Sequence, residues 1–179
     1  LGSKQGIADS YGNIGNSYLD LNNYSKSLDY QFLSLEKNEE ILNDKAEGSN
    51  LENAKEGKTF ALHNIAGIYL EVKLYRLALE YEFRSLEYEM EAGHEVDLAI
   101  SYNLLGKIHK SLNQKDSAIF YFKKAIEIYK VNSYPYGYSS VLHSYSLLDS
   151  VGITENHRNK MLAEALSIRK EFGIEYTIW

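Results

Sequence analysis

The chain has 179 residues, 44% of them hydrophobic, with one proline and no cysteine; this predicts one helical domain with a sizeable core and excludes disulfides and thiolate sites. Its 25 acidic residues outnumber 19 basic ones, and no long basic run exists, which disfavours nucleic-acid binding. No apolar run approaches the roughly 18–20 residues of a membrane span, so we expect no membrane insertion within this segment; the compartment stays open, with the cytoplasm favoured.

The first predicted repeat covers about residues 4–46 and consists of two helices joined by a turn near Asn23. Apolar or small residues recur along both helices every three or four positions, the period of one helix face: Tyr11, Ile14, Gly15 and Tyr18, then Ser27, Leu28, Phe32, Ser34 and Leu35. Between Asn43 and Glu56 this pattern fades into charged and amide residues. That run predicts a solvated helix end and loop.

The second and third predicted repeats, about residues 54–92 and 95–131, are clearer. Each consists of two helices whose apolar faces have the same helical period. In the second repeat the two faces are Leu62, Ile65, Ala66 and Tyr69, and Ala78, Leu79, Ser85 and Leu86. In the third repeat they are Leu98, Tyr102, Leu105 and Ile108, and Ala118, Phe122, Ala125 and Tyr129. Gly93 is predicted to cap the C-terminal end of the second repeat. The third repeat turns at residues 113–116.

The fourth predicted repeat, about residues 136–171, is degenerate. Its first helix is predicted to end at about Ser150, before Gly152, and Thr154 is predicted to cap the last helix. A weak terminal repeat fits the end of a repeat array, where the outer face meets water. Residues 172–179 form a tail or begin a further repeat.

Small residues return at one phase of these repeats, as Gly15, Ala66 and Gly106, at steps of 51 and 40 residues. The pattern resembles the tetratricopeptide repeat through Tyr102, Leu105, Gly106, Ala118, Phe122 and Ala125. The long period is similar to the class found in kinesin light chains and in sensory segments of bacterial histidine kinases and nucleotide cyclases. The resemblance implies an all-α fold, a right-handed α-solenoid of about four antiparallel helical hairpins in a single domain over residues 1–179.

The resemblance also implies that the first helix of each hairpin lines a concave groove, where a partner protein or peptide binds. Amide side chains suit such a groove because each offers a donor and an acceptor to an extended backbone. Lys107 and Lys110 share one helix face and are expected to bind a carboxylate. The candidate groove residues are Asn13, Asn16, Asp20, His63, Asn64, Asn103, Lys107, Lys110 and His143.

Other interpretations of these residues stay open. An asparagine on an exposed helix face is usually only solvated, and Asn13 and Asn64 could instead satisfy the backbone of a neighbouring hairpin. The carboxylate clamp of chaperone-binding family members needs basic and amide residues on successive helices. Because repeats one and two supply no lysine or arginine at the matching positions, binding of chaperone tails is not expected.

The sequence gives little support for catalysis, so we expect no enzyme activity, no metal and no cofactor. Its five histidines show no His-Glu-x-x-His spacing, and His109, at a position where the repeat usually has tyrosine, is expected to be packed. The carboxylates of one helix are predicted to form a solvated acidic face rather than an acid–base pair: Glu80, Glu82, Glu87, Glu89 and Glu91.

The favoured function is therefore a non-enzymatic scaffold that binds a protein or peptide in a pre-stacked groove. An alternative from another class is a sensory or regulatory segment of a larger bacterial signalling protein, a histidine kinase or nucleotide cyclase. Self-association stays open under both hypotheses. Neither hypothesis identifies the partner.

Overall fold

The computed structural model describes residues 3–44, 47–148 and 153–174. Over these residues the backbone forms helices and no strand, which agrees with the predicted all-α class. The helices are α1 (Lys4–Asp20), α2 (Tyr24–Asn43), α3 (Ser49–Glu71), α4 (Tyr75–Ala92), α5 (Glu95–Ser111), α6 (Lys115–Val131), α7 (Pro135–Ser146) and α8 (Glu155–Phe172). None of them, within the described part of the chain, is long and apolar enough to cross a membrane.

One turn geometry recurs where α1, α3, α5 and α6 end. In each turn a residue other than glycine is left-handed, with φ between 49° and 64°, at Asn22, Lys73, Asn113 and Ser133. In the first turn, the amide of Asn22 bonds to the carbonyl of Leu19 and the amide of Asn23 to that of Tyr18, both at 2.8 Å. This pair of bonds is the Schellman motif, which satisfies the last carbonyls of a helix. The chain therefore reverses within a few residues, and the two helices on either side of each of these turns run antiparallel.

Contacts divide the chain into two compact units, residues 1–92 (unit 1) and residues 93–179 (unit 2). In unit 1, α2 packs against α1 and α3, α3 packs against α4, and α1 touches α3. Its apolar core is formed by Leu35, Ala61, Leu62 and Ile65, with aromatic rings at the margin. Whether the whole chain is one domain stays a prediction.

In unit 2, α6 packs against α5 and α7, α7 packs against α8, and α5 also touches α7. Its apolar core combines small and aliphatic residues with two buried aromatic side chains, Phe122 and Tyr129. A side chain at Gly106 would place its Cβ 2.5 Å from two atoms of the Phe122 ring. Glycine at this position therefore allows α5 and α6 to approach closely, as the sequence pattern predicted.

Two predicted helix caps are confirmed, and one predicted loop is wrong in part. Gly93 follows α4 with φ of 72°, and the hydroxyl of Thr154 accepts a hydrogen bond from the amide of His157 at 3.3 Å. By contrast, α3 already begins at Ser49, inside the predicted loop. Ala54 is fully buried there, and its apolar contact stabilises the helix in this otherwise polar stretch. Gly152 and residues 175–179, which also belonged to predicted features, lie outside the described residues.

Candidate partner-binding site

In unit 1, two predicted groove asparagines belong to a hydrogen-bond network that joins α1, α2 and α3. The Oδ1 atom of Asn16 accepts from Nε2 of Gln31 at 2.8 Å and from Nδ2 of Asn64 at 3.1 Å. Gln31 is fully buried and also donates to the carbonyl of Gly12 at 3.2 Å. Asn64 therefore bonds to a side chain of the neighbouring hairpin, that of Asn16. The sequence had suggested the backbone of that hairpin as an alternative partner. Asn13 and Asp20 lie exposed on α1.

His63 on α3 is paired with a buried carboxylate. Its Nδ1 atom lies 3.1 Å from Oε1 of Glu82, a residue on α4 that is 0% exposed. At this distance a hydrogen bond joins the imidazole ring to the carboxyl group. The pair ties α3 to α4 and orients the imidazole ring.

Two members of the predicted solvated acidic face are in fact buried. Glu82 is enclosed as described above, and Glu89 is 5% exposed, with its Oε1 atom accepting from the hydroxyl of Ser85 at 3.2 Å. The prediction failed at these residues because position within the repeat, and not charge, decides burial here. Glu82 follows Ala66 by 16 residues, as buried Phe122 follows Gly106 and buried Gln31 follows Gly15.

In unit 2, three predicted groove residues lie along α5. Asn103 is 9% exposed, and within the described chain its Oδ1 atom is buried without a hydrogen-bond partner. Lys107 and Lys110 follow at one and two turns and are half-buried. Burial lowers the pKa of Lys110, because removal of water disfavours its charged form. An ammonium group that has lost part of its water is attracted more strongly by a nearby anion than a fully hydrated ammonium group is.

The fourth predicted residue, His143 on α7, lies within electrostatic reach of these lysines and of a further cation. Its pKa is lowered, first by partial burial and then by the charges of Arg169, Lys110 and Lys107. Arg169 extends from α8 and its Nε atom lies 3.5 Å from the hydroxyl of Ser139, one turn before His143. Three helices therefore bring together a group that we call the cationic cluster: Lys107, Lys110, His143 and Arg169.

The remaining histidines and the acidic residues of the described ranges are the next candidates for metal ligands. Among the described residues, no group of three histidine, aspartate or glutamate side chains could hold a metal ion. His109 is buried, stacks on Tyr121 with ring centroids 5.2 Å apart, and has Nδ1 at 2.5 Å from Oε1 of Gln114. His109 is therefore a packed histidine, as predicted.

Two family profiles, both described as tetratricopeptide repeat, match residues 58–130 and 7–45. Together these matches cover more than half of the chain. The chain belongs to the tetratricopeptide repeat family. Repeats of this family generally mediate protein–protein interactions, and the fold is generally a non-catalytic scaffold.

The tetratricopeptide fold is also found by comparison with solved structures. The crystal structure of BtubC (BKLC) from P. vanneervenii matches 100% of this chain and 69% of that chain, with a TM-score of 0.75 and 16% sequence identity. At this identity the likeness shows the fold, an all-α solenoid of helical hairpins, and confirms the predicted fold class. No curated protein matches the sequence.

Placed on the tetratricopeptide repeats, the predicted groove residues fall into two groups. Those of unit 1 include side chains engaged within the fold, namely Asn16, Asn64 and His63. Those of unit 2 come together in the cationic cluster and the adjacent Asn103. Arg169 is absent from the predicted groove because the groove pattern covers only the first helix of each hairpin, and α8 is the second helix of the degenerate repeat.

Proposed function

We propose that the protein is a binding module that holds an acidic segment of a partner protein against α5 and α7 of unit 2. The observation that carries the proposal is the convergence of Lys107, Lys110 and Arg169 on His143. The chain as a whole has a net charge of −6, so a local group of three basic side chains runs against its overall charge. Such a patch favours a negatively charged partner and repels basic ones.

The arrangement of the side chains supports a peptide as the ligand. Lys107 and Lys110 are three residues apart on α5, so their ammonium groups extend from one face, while Arg169 approaches from α8. A guanidinium can bind a carboxylate with two parallel hydrogen bonds. Asn103 lies one turn before Lys107, and its buried Oδ1 atom has no hydrogen-bond partner among the described residues.

Hydrogen bonds to charged groups are stronger than hydrogen bonds between neutral groups. Each contributes roughly 1.5–3 kcal/mol, and every 1.4 kcal/mol changes an affinity about tenfold. Partial burial of Lys110 adds to the effect, because the attraction is screened less than at a fully exposed site. In unit 1, Asn16, Asn64 and His63 are engaged in hydrogen bonds within the fold, and Asn13 and Asp20 are exposed to solvent.

The test is the affinity for a defined acidic peptide, labelled with rhodamine and containing four consecutive glutamates, measured by fluorescence anisotropy at low salt. The double variant Lys107→Glu with Lys110→Glu should bind at least about tenfold more weakly. A matched control reverses the exposed lysines Lys115 and Lys123 on α6, with the same change in net charge. Equal loss in both double variants, with the fold intact by circular dichroism, would reject the proposed face.

A further inference from the structure

An exposed apolar stripe runs along α1 and the residue that follows it. Ile7, Ile14 and Leu21 lie seven residues apart, so their side chains extend from one side of the helix, and all three are exposed. Within unit 1, α1 packs against α2 and touches α3, and neither helix covers these three side chains. We call them the α1 stripe. A contiguous exposed apolar surface of this kind is typical of a binding face.

The second hairpin shows what covers the equivalent face when it is buried. Ile65 occupies the repeat position of Ile14, since each stands one residue before the small residue that recurs in the repeats. Ile14 is 38% exposed, whereas Ile65 is 0% exposed in the apolar core of unit 1. Leu28 and Phe32 of α2 pack against that core. The element that covers this face of a hairpin is therefore a helix with apolar side chains one turn apart.

The aromatic rings support the equivalence of the two faces. Tyr18 and Tyr30 of the first hairpin stack with ring centroids 5.5 Å apart. Tyr69 and Tyr81, 51 residues later in each case, lie at the same distance in the second hairpin. The ring of Tyr81 also contacts that of Phe32 on α2, at 5.8 Å between centroids. The first hairpin therefore repeats the surface on which α2 is seated in the second.

A helix with the matching apolar pair lies in unit 2. On α2, Leu28 and Phe32 are one turn apart, and each directly follows a buried residue. On α8, Leu162 and Leu166 are also one turn apart, and each again directly follows a buried residue. Leu166 is 47% exposed. The outer face of α8 therefore offers to a partner the same kind of apolar pair that α2 offers to α3.

The charges of the two units favour one way of pairing these faces between copies. Residues 1–92 carry 16 acidic and 9 basic side chains, a net charge of −7, and residues 93–179 carry 9 acidic and 10 basic ones, a net charge of +1. Unit 1 of one copy therefore repels unit 1 of another, which disfavours pairing of the α1 stripe with itself. Pairing of unit 1 with unit 2 of another copy avoids this repulsion.

We propose that the chain associates with itself head to tail, with Leu162 and Leu166 on α8 of one copy packed on the α1 stripe of the next. The contact joins different surfaces of the two copies, so it is heterologous and leaves one unused face on each copy of a dimer. Further copies therefore add as the concentration rises. None of these residues belongs to the cationic cluster, so self-association and binding of an acidic segment are separate properties.

The experiment is sedimentation velocity of the native protein over a range of concentrations. The average mass should rise from the 20.5 kDa of the monomer through that of a dimer to larger species. Ile14→Glu and Leu166→Glu each place a charge in the proposed contact and should weaken association at least about tenfold. The matched control is Leu77→Glu, because Leu77 is similarly exposed, at 37%, and lies on α4 outside both faces. This control should associate like the native protein.

An equimolar mixture of Ile14→Glu and Leu166→Glu tests the head-to-tail geometry. Each variant keeps one intact face, so the mixture should form a dimer and nothing larger, while either variant alone stays monomeric. A native mass of 20.5 kDa at every concentration, undiminished association of either variant, equal loss in Leu77→Glu, or a mixture that stays monomeric would each overturn the inference. If circular dichroism shows a glutamate variant to be unfolded, Ile14→Ser or Leu166→Ser replaces it with the same expected outcomes.

Discussion

Alanine at Gly106 should destabilise unit 2, because the added methyl group would collide with a ring that has little room to move. The new Cβ would lie 2.5 Å from Cδ1 and Cε1 of Phe122 and 3.0 Å from its Cγ. Carbon atoms pack at about 3.5–4.0 Å, so the ring must retreat by about 1 Å. Phe122 is fully buried and lies against Tyr145, with ring centroids 5.7 Å apart.

The net effect is the difference of two terms. Overpacking of this kind costs about 1–3 kcal/mol, and a collision with three ring atoms belongs at the upper end. Alanine recovers about 1 kcal/mol through its better helix propensity. We therefore expect Gly106→Ala to lower the free energy of unfolding by about 1–2 kcal/mol. Gly67 in α3 is the matched control: nothing lies within 4 Å of an added Cβ, so Gly67→Ala should stabilise by about 0.5–1 kcal/mol.

The assay is urea unfolding followed by far-ultraviolet circular dichroism, with Phe122→Leu and the Gly106→Ala/Phe122→Leu double variant included. The smaller leucine makes room for the methyl group, so the double variant should lose less stability than the two single losses added together, by about 1 kcal/mol. If Gly106→Ala were as stable as the native protein, or if the double variant were simply additive, the close packing of α5 on α6 would be refuted.

Two further predictions concern stability. His63→Ala removes the side chain that lies 3.1 Å from the fully buried Glu82, so it should lower the free energy of unfolding in urea by about 3 kcal/mol. Glu82→Leu should leave the free energy of unfolding nearly unchanged or raise it. A loss below about 1 kcal/mol in His63→Ala would contradict the pairing. Lys73→Gly should raise the free energy of unfolding by about 1 kcal/mol, because Lys73 has the left-handed φ of 64°. Asn113→Gly should raise it less, since asparagine tolerates that conformation. A higher thermal midpoint for Asn113→Gly than for Lys73→Gly would refute this explanation.

The helices and their close contacts could be predicted because they depend on local spacing. Apolar residues every three or four positions define one face of a helix, and small residues such as Gly106 mark where helices approach. Pairing across the hairpin turns follows from the short connections alone. These signals require no knowledge of contacts between residues distant in the sequence.

The buried glutamates could not be predicted from charge, because a carboxylate is usually solvated and its burial depends on a partner elsewhere in the chain. The partner of Glu82 is His63, 19 residues earlier. The repeat register held the missing signal, since Gln31, Glu82 and Phe122 occupy one repeated position. A polar residue at that position is buried as firmly as the aromatic one.

The candidate site was predictable in part. Lys107 and Lys110 share a helix face by spacing alone, and His143 was placed by the repeat register. Arg169 depends on how the degenerate repeat folds back on α7, which the sequence pattern does not specify. The hydrogen bond between Asn16 and Asn64 joins residues 48 apart in the sequence, so the local sequence around either residue does not predict it.

The contrast between Gln31 and Phe122 bears on how strictly each unit fixes its alignment. Apolar contact has no preferred direction, whereas a hydrogen bond weakens steeply when its geometry changes. Gln31 bonds to both Gly12 and Asn16, so α2 can slide along α1 only by breaking these bonds of a fully buried side chain. Unit 1 therefore gives up some apolar burial in exchange for a single permitted alignment of its helices.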